Sequence, residues 1–380
     1  MKILINAANV RFGGGVTVAK NIIRSIIDKG GFTQLTLLLP RGAGYDEFED
    51  GQRVRCVYVP DRFHTDYFFK WRFVQWGFSK LVDDHGADVV FSLGNVAFPC
   101  AKPHLLLIQN AYLFYPESVL WQRLPLKFRL YVRFSNFQTK LYLKKARHYL
   151  VQTTVIKNRL QRLFGVPASK IGVLPNVVSY QSRDVDKDAS VLPLKNGQLV
   201  KLLFLSKYYP HKNYDILVPL AQKIKAAGSP LRISLTLDVH EAPRLAANLQ
   251  HQGLDNIVQF MGNVPPSDIG SVFAAHQGVF LPTLLESFSG TYVEAMFYGR
   301  PVFTSNMDFA HVVCGDAAYY FDPLDADDIF KVIATAYAHE EAMALKIAKG
   351  YQILSGMPTW QNLSDAVNNA IAAMMDPKPI

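Results

Sequence analysis

Short apolar runs alternate along this chain with stretches whose apolar positions fall three and four residues apart. Lys2–Asn6 opens the series, and LTLLLP, VRCVYVP, ADVVFSLG and HLLLIQN follow it in the first half. LLFL, ISLTLD, IVQFMG and GVFLP repeat the pattern in the second half. Runs this short and this apolar read as strands covered on both faces, and parallel strands need helical crossovers between them. VTVAKNIIRSIIDKG, with Gly30 and Gly31 beyond it, is one such helix, and the region around Asp66–Asp83 holds others. The alternation predicts an α/β fold built from doubly wound, Rossmann-like domains.

At 380 residues the chain is long for one core, so two domains are expected. The apolar pattern fails in SYQSRDVDKDASVLPLKNGQ, which reads as a linker over 179–199 between domains at 1–178 and 200–356. With 49% hydrophobic and 19% charged residues the chain is globular and not disordered. Its three cysteines, Cys56, Cys100 and Cys314, have no paired spacing, which argues against a disulfide scaffold or zinc site and fits a reducing cytoplasm. No apolar run approaches the length of a membrane span, and MKILINAANVRF is too short to read as a signal peptide.

The most informative stretch is VFLPTLLESFSGTYVEAMFYGRPVFTS, residues 279–305. A buried strand ends at Pro282, a small-residue turn carries Glu286, Ser287, Phe288, Ser289 and Gly290, and helical spacing starts at Thr291. Gly299 and Pro301 stop that helix before the next strand. Such a turn sits at the carboxyl edge of a parallel sheet, and free N–H groups at the helix start suit a phosphate or diphosphate. Glu286 precedes the helix and Glu294 lies inside it; on the residues alone they serve either a ligand or merely the helix start and a solvated face.

ESFSGTYVE followed by AMFYGRPVFTS resembles the E-x7-E segment of retaining GT-B glycosyltransferases of family 4, with Ser287 and Ser289 at positions that are usually glycine. The resemblance extends over nearly the whole chain and implies two Rossmann-like domains facing across a cleft. It implies that Glu286 contacts the donor sugar and Glu294 the nucleotide ribose. Lys207 and Lys212, in SKYYPHKN, match the family's two basic positions after a strand, the first usually arginine. With backbone N–H groups around Gly290–Thr291 they would hold the diphosphate; Ser287, Phe288 and Ser289 would also bind the donor, and Met261 and Gly262 would lie by the base. Gly14 and Gly15 match a glycine-rich loop facing the diphosphate or the acceptor, and Asn110 is assigned to the acceptor. The final helix, 357–380, would cross back to the first domain, anchored by Trp360. The implied activity is transfer of a hexose-type sugar from a nucleotide-diphosphate sugar to a glycan or lipid-diphosphate-linked acceptor, in bacterial surface polysaccharide synthesis. Neither metal nor other cofactor is expected.

Charge adds a second theme. Between residues 118 and 183 there is no Asp or Glu, while Arg123, Lys127, Arg129, Arg133, Lys140, Lys144, Lys145 and Arg147 are interleaved with aromatics. Such a stretch reads as a surface for an anionic membrane or ligand, or as an ordinary solvated face. We expect peripheral contact with the inner face of the cytoplasmic membrane through 118–150, and no nucleic acid partner. The net charge of +9 leaves a non-enzymatic anion- or nucleic-acid-binding protein as the alternative. A nicotinamide site is disfavoured because Gly13, Gly14 and Gly15 lack G-x-G-x-x-G spacing. Asp184/Asp186 and Asp325/Asp327 form D-x-D pairs, but one lies in the linker and the other where helix-start carboxylates belong. A retaining glycosidase needs carboxylates about 5–5.5 Å apart, and eight helical residues rise about 12 Å, so Glu286 and Glu294 suit it poorly.

Overall fold

The computed structural model describes residues 1–48, 51–176 and 198–375, without the side chains of 360 and 361. In chain order the first half runs β1 Lys2–Asn6, α1 Gly14–Lys29, β2 Gln34–Leu39, β3 Val54–Tyr58, α2 Arg62–Thr65, α3 Tyr67–Arg72, a π turn Phe73–Gly77 and α4 Phe78–Asp84. It continues through β4 Val89–Ser92, β5 His104–Ile108, α5 Leu120–Arg123, α6 Leu126–Leu143, β6 His148–Val151, α7 Thr154–Phe164 and β7 Ile171–Val173. The second half begins β8 Val200–Phe204, α8 Leu217–Ala226, β9 Leu231–Leu235, α9 Pro243–His251, β10 Val258–Phe260, α10 Ile269–Ala274 and β11 Gly278–Leu281. Then come α11 Gly290–Phe297, β12 Val302–Ser305, α12 Asp308–Cys314, β13 Ala318–Phe321, α13 Ala326–Ala338, α14 Glu340–Gly356 and α15 Trp360–Met375.

The strands form two parallel sheets, ordered β3-β2-β1-β4-β5-β6-β7 and β10-β9-β8-β11-β12-β13. Each is doubly wound, and each reverses its strand order between the first strand and a later neighbour: β1 beside β4, and β8 beside β11. At such a switch point the loops leaving adjacent strands diverge, and the crevice between them is where open α/β sheets take ligands. Strand interiors are almost wholly apolar and buried, as coverage on both faces requires. An exception crosses the first sheet. Asn6 on β1 donates to Ser92 on β4 (3.1 Å), whose hydroxyl meets His104 Nε2 on β5 (2.7 Å). This satisfies three buried polar groups.

The chain divides into two compact units. One comprises Met1–Pro116, Pro125–Asn176 and the segment from Pro358 onward; the other takes Glu117–Leu124 and the described residues from Gln198 to Met357. Residues 117–124 therefore depart from the expected 1–178 domain; Pro116 and Pro125 bracket them and break the backbone on either side. In the first unit α15 buries Leu363, Val367, Ile371 and Met374, at helical spacing, and lies against α1. Lys29 pairs with Asp365, and Arg147 donates to the Met374 carbonyl (3.1 Å). Trp360 as an anchor, most of the expected linker, and Asp184 and Asp186 lie outside what the structure describes. β13, with its sequence AYYF, is a strand that the apolar pattern did not predict.

Candidate active site

Gly14 and Gly15 aside, every residue expected near the donor belongs to the second unit and follows the carboxyl end of one of its strands. β8 runs into the loop with Lys207 and Lys212, and its neighbour β11 runs into the turn with Glu286. The two loops are stapled together, since the Leu284 N–H donates to the His211 carbonyl (2.8 Å). One residue further along the first loop, Lys212 Nζ pairs with Glu286 Oε1, and each side chain is only 13% exposed. A half-buried ion pair in this setting is held by mutual need: either charge alone would be stranded away from water. Asn213, beside Lys212, takes the left-handed conformation (φ 60°) and donates to the Pro323 carbonyl (2.7 Å), which fixes the loop's exit. Burial, followed by the Lys212 charge, holds the His211 imidazole well below its usual pKa, so it is neutral.

Lys207 is held differently. Its ammonium donates to Asn263 Oδ1 and lies 3.7 Å from Glu241 Oε1. Asn263 in turn donates to Glu241 Oε2 (2.9 Å), which also accepts the Asp238 N–H (2.9 Å) in a capping box. That backbone bond, with help from Asn263 and Lys207, keeps the Glu241 carboxyl below its ordinary pKa. Glu241 and Asn263 follow β9 and β10, so three carboxyl-edge loops converge on one ammonium. The sequence pointed to Lys207 but not to these partners, which are distant in the chain. The only local hint was the D-V-H-E capping pattern.

Ser289 is the N-cap of α11, and Gly290 and Thr291 form its first turn. The Ser289 side chain makes no capping hydrogen bond to this helix end. Neither serine of the turn requires glycine. Ser289 has φ −100° and ψ 118°, and Ser287 is absent from the positive-φ residues. Around Gly290 a Cβ would meet nothing within 4 Å, so the backbone there stands open to a ligand. Ser287, Ser289 and Phe288 are buried, as is Thr283, whose hydroxyl has no hydrogen-bond partner among the described residues. Within α11, Glu294 makes no side-chain hydrogen bond or ion pair among the described residues. Burial pushes its carboxyl up to about 7. An acid that must desolvate without a partner is unfavourable for the empty protein and suits a ligand that supplies hydroxyl donors.

Met261 is 41% exposed, and Gly262, next to it, has φ 82°, a torsion that favours glycine. In the first unit, the loop after β1 places Gly14 and Gly15 in the opening turn of α1. Gly13, with φ 65°, carries the torsional requirement there. Asn110, after β5, caps a short 3-10 turn by accepting the Tyr112 N–H (3.1 Å) and donates to Asn136 Oδ1 (3.1 Å). One amide hydrogen and one lone pair remain for other partners. Asp325 of the second D-x-D pair caps α13, and Asp327 forms an ion pair with Lys223 (2.5 Å). Among the described residues no three His, Cys, Asp or Glu side chains gather into a metal site.

Two families match this chain: Glycosyltransferase Family 4 over residues 12–181, and Glycosyl transferases group 1 over residues 200–339. The chain belongs to these glycosyltransferases. Among curated family proteins, O-antigen chain mannosyltransferase B of Escherichia coli is 25% identical over 246 residues, 63% of this chain and 64% of that one. O-antigen chain mannosyltransferase RfbU of Salmonella typhimurium is 23% identical over 250 residues, 62% of this chain and 64% of that one. These matches span a little under two thirds of the relatives' length. Solved glycosyltransferase structures superpose over nearly all of the chain. Sucrose-phosphate synthase from Thermosynechococcus elongatus gives a TM-score of 0.71 at 16% identity, covering 98% of each chain. WaaG, a glycosyltransferase involved in lipopolysaccharide biosynthesis, gives 0.70 at 14% identity, covering 98% of this chain and 99% of that one. Anabaena HepE in complex with UDP and glucose gives 0.66 at 16% identity, covering 98% of this chain and 100% of that one. The fold is GT-B.

Proposed function

We propose that this protein is a retaining glycosyltransferase that moves a hexose-type sugar from a nucleotide-diphosphate sugar to a glycan or lipid-linked acceptor in bacterial surface polysaccharide synthesis. The observation that carries the reading is the set of groups at the switch point of the second sheet. Lys207, Lys212, Glu286 and the start of α11 all follow the carboxyl ends of its strands. Two ammonium groups and a helix N-terminus form an anion site suited to the charge that develops on a departing diphosphate. Glu286 accepts hydroxyls of the donor sugar once Lys212 turns to the phosphate, and Glu294 accepts from the ribose. Those cations stabilise the leaving group without a metal. The acceptor hydroxyl attacks from the leaving-group side, the sugar–phosphate bond breaks, and the departing phosphate oxygen takes the hydroxyl proton. O-antigen mannosyltransferases among the relatives, and HepE with its UDP and glucose, support a nucleotide-sugar donor and a polysaccharide acceptor. Gly14 and Gly15 would approach the diphosphate or the acceptor, and Asn110 would bind the acceptor.

Calorimetric titration with UDP, GDP, TDP and ADP, each with and without EDTA, tests the reading. Tight binding of one nucleotide, unchanged by EDTA and lost in Lys207→Met, is the expected result. Failure of all four to bind overturns it.

A further inference from the structure

A second surface, on the first unit, has chemistry of its own. In α6 the buried side is narrow: Val132, Thr139 and Leu143 point inward at helical spacing. On the opposite side Leu126, Leu130, Phe134, Phe137 and Leu141 are all exposed, Phe134 by 55% and Phe137 by 61%. At 100° per residue these five fall within about 40° of a common line and form a ridge about 22 Å long. Arg133 and Lys144 flank the ridge on one side, Lys127 and Lys145 on the other, and α6 contains no acidic residue. This is the reverse of a soluble helix, whose outward face is polar.

An adjoining element carries exposed aromatics of its own. Tyr67, Phe68 and Trp71 on α3, and Trp76 in the π turn, are exposed, and Trp71 packs edge-on to Trp76 with ring centres 5.1 Å apart. The Gln75 amide donates to the Tyr142 hydroxyl, so the end of α6 that carries Leu141 adjoins the turn that carries Trp76. Large apolar side chains left in solvent on two adjoining elements are unfavourable unless something covers them. The flanking cations choose the cover. A second copy docked about a two-fold axis would set Lys and Arg against Lys and Arg. An anionic phospholipid surface takes the ridge among its acyl chains, the lysine stems along the interface and the indoles at headgroup level. We infer that the α6 ridge and the α3 tryptophan pair together seat this protein on an anionic bilayer, with α6 lying in the plane of the interface.

The test uses the full chain with vesicles of phosphatidylcholine alone or mixed with phosphatidylglycerol, at low salt and without nucleotide or acceptor. Sedimentation with the mixed vesicles and not with phosphatidylcholine is expected. Phe134→Ser with Phe137→Ser should lower partitioning by about tenfold or more. Arg133→Gln with Lys144→Gln should lower it roughly 25-fold, about fivefold for each cation near the surface. Lipids brominated near the headgroup should quench tryptophan emission, and Trp71→Ser with Trp76→Ser should remove most of that quenching. All six side chains are exposed, so circular dichroism and thermal unfolding should match wild type. Equal binding to both vesicle types overturns the inference, as does binding indifferent to the Phe134 and Phe137 changes. Dimerisation or oligonucleotide binding abolished by those same changes also overturns it. None of these outcomes touches the donor site, so failure here leaves the proposed transfer reaction standing.

Discussion

Lys212 and Glu286 set the terms for testing the site residue by residue. Glu286→Ala leaves an ammonium half-buried and unpaired, so it should lose about 3 kcal/mol of stability as well as turnover. Glu286→Gln keeps a hydrogen-bond acceptor for Lys212 but not its counter-charge, so it should lose less stability than Glu286→Ala while still falling below wild type. Its kcat should still fall about 100-fold, because a neutral amide responds weakly to the charge that develops on the sugar. Thermal unfolding and initial rates on the two variants separate the effects, and wild-type kcat in Glu286→Gln would remove Glu286 from the mechanism. Glu294 makes a pH prediction. Its folded pKa is raised from 4.5 to about 7. Below pH 4.5 the group is protonated in both states and costs nothing. Between 4.5 and 7 only the unfolded chain ionises, so stability falls, and above 7 the loss is complete, on the order of 2–3 kcal/mol. Glu294→Gln should therefore be no more stable than wild type at pH 4 and visibly more stable at pH 8, by thermal unfolding. If ribose hydroxyls need the ionised carboxylate, nucleotide affinity should rise about tenfold from pH 6 to 8, and Glu294→Gln should abolish the rise. The sequence disclosed these charged residues because their types and spacing are local. It could not disclose the Asn263–Glu241 clamp on Lys207, which exists only once β9 and β10 lie beside β8.

Among the elements, strands with four or more buried apolar residues declared themselves, as did helices with a clean three-four spacing. β13 did not, because its edge position leaves Tyr319 and Tyr320 partly exposed and blurs the apolar signal. The exposed ridge of α6 was visible as composition but not as a face: its apolar residues occupy both sides of the helix, and only packing tells which side is the core. The Asn6–Ser92–His104 network across β1, β4 and β5 was likewise invisible, since each member is an ordinary strand residue. Burial depresses the His104 pKa from 6.5 to about 3. A depressed histidine contributes its full stability above pH 6.5 and loses it as pH falls, because the unfolded chain takes up the proton first. Hydrogen exchange in β1, β4 and β5 should therefore lose protection between pH 7 and 5, after correction for the intrinsic pH dependence of exchange. His104→Gln should flatten that trend, at some cost in packing.

On the scale of the whole molecule, two doubly wound sheets were legible from alternation alone, because crossover connections force it. Which unit owns each segment was less so, and Glu117–Leu124 and the final helix show why: membership is decided by contacts remote in sequence. The α15 contact is substantial. Burying Leu363, Val367, Ile371 and Met374 is worth roughly 6–12 kcal/mol, comparable with the stability of an entire domain. A chain ending at Met357 should keep a folded second unit that still binds nucleotide, while its first unit loses cooperative unfolding in calorimetry. Retention of both unfolding transitions would show that α15 is dispensable. The same contact dictates an order of events on the ribosome. Domains ordinarily mature from the amino end as they emerge, yet here the first sheet waits for a helix made after all of the second. The later-made unit can close first, and the earlier one spends the interval with the α1 face that α15 will cover still bare. Chaperones would be expected to find their handhold there.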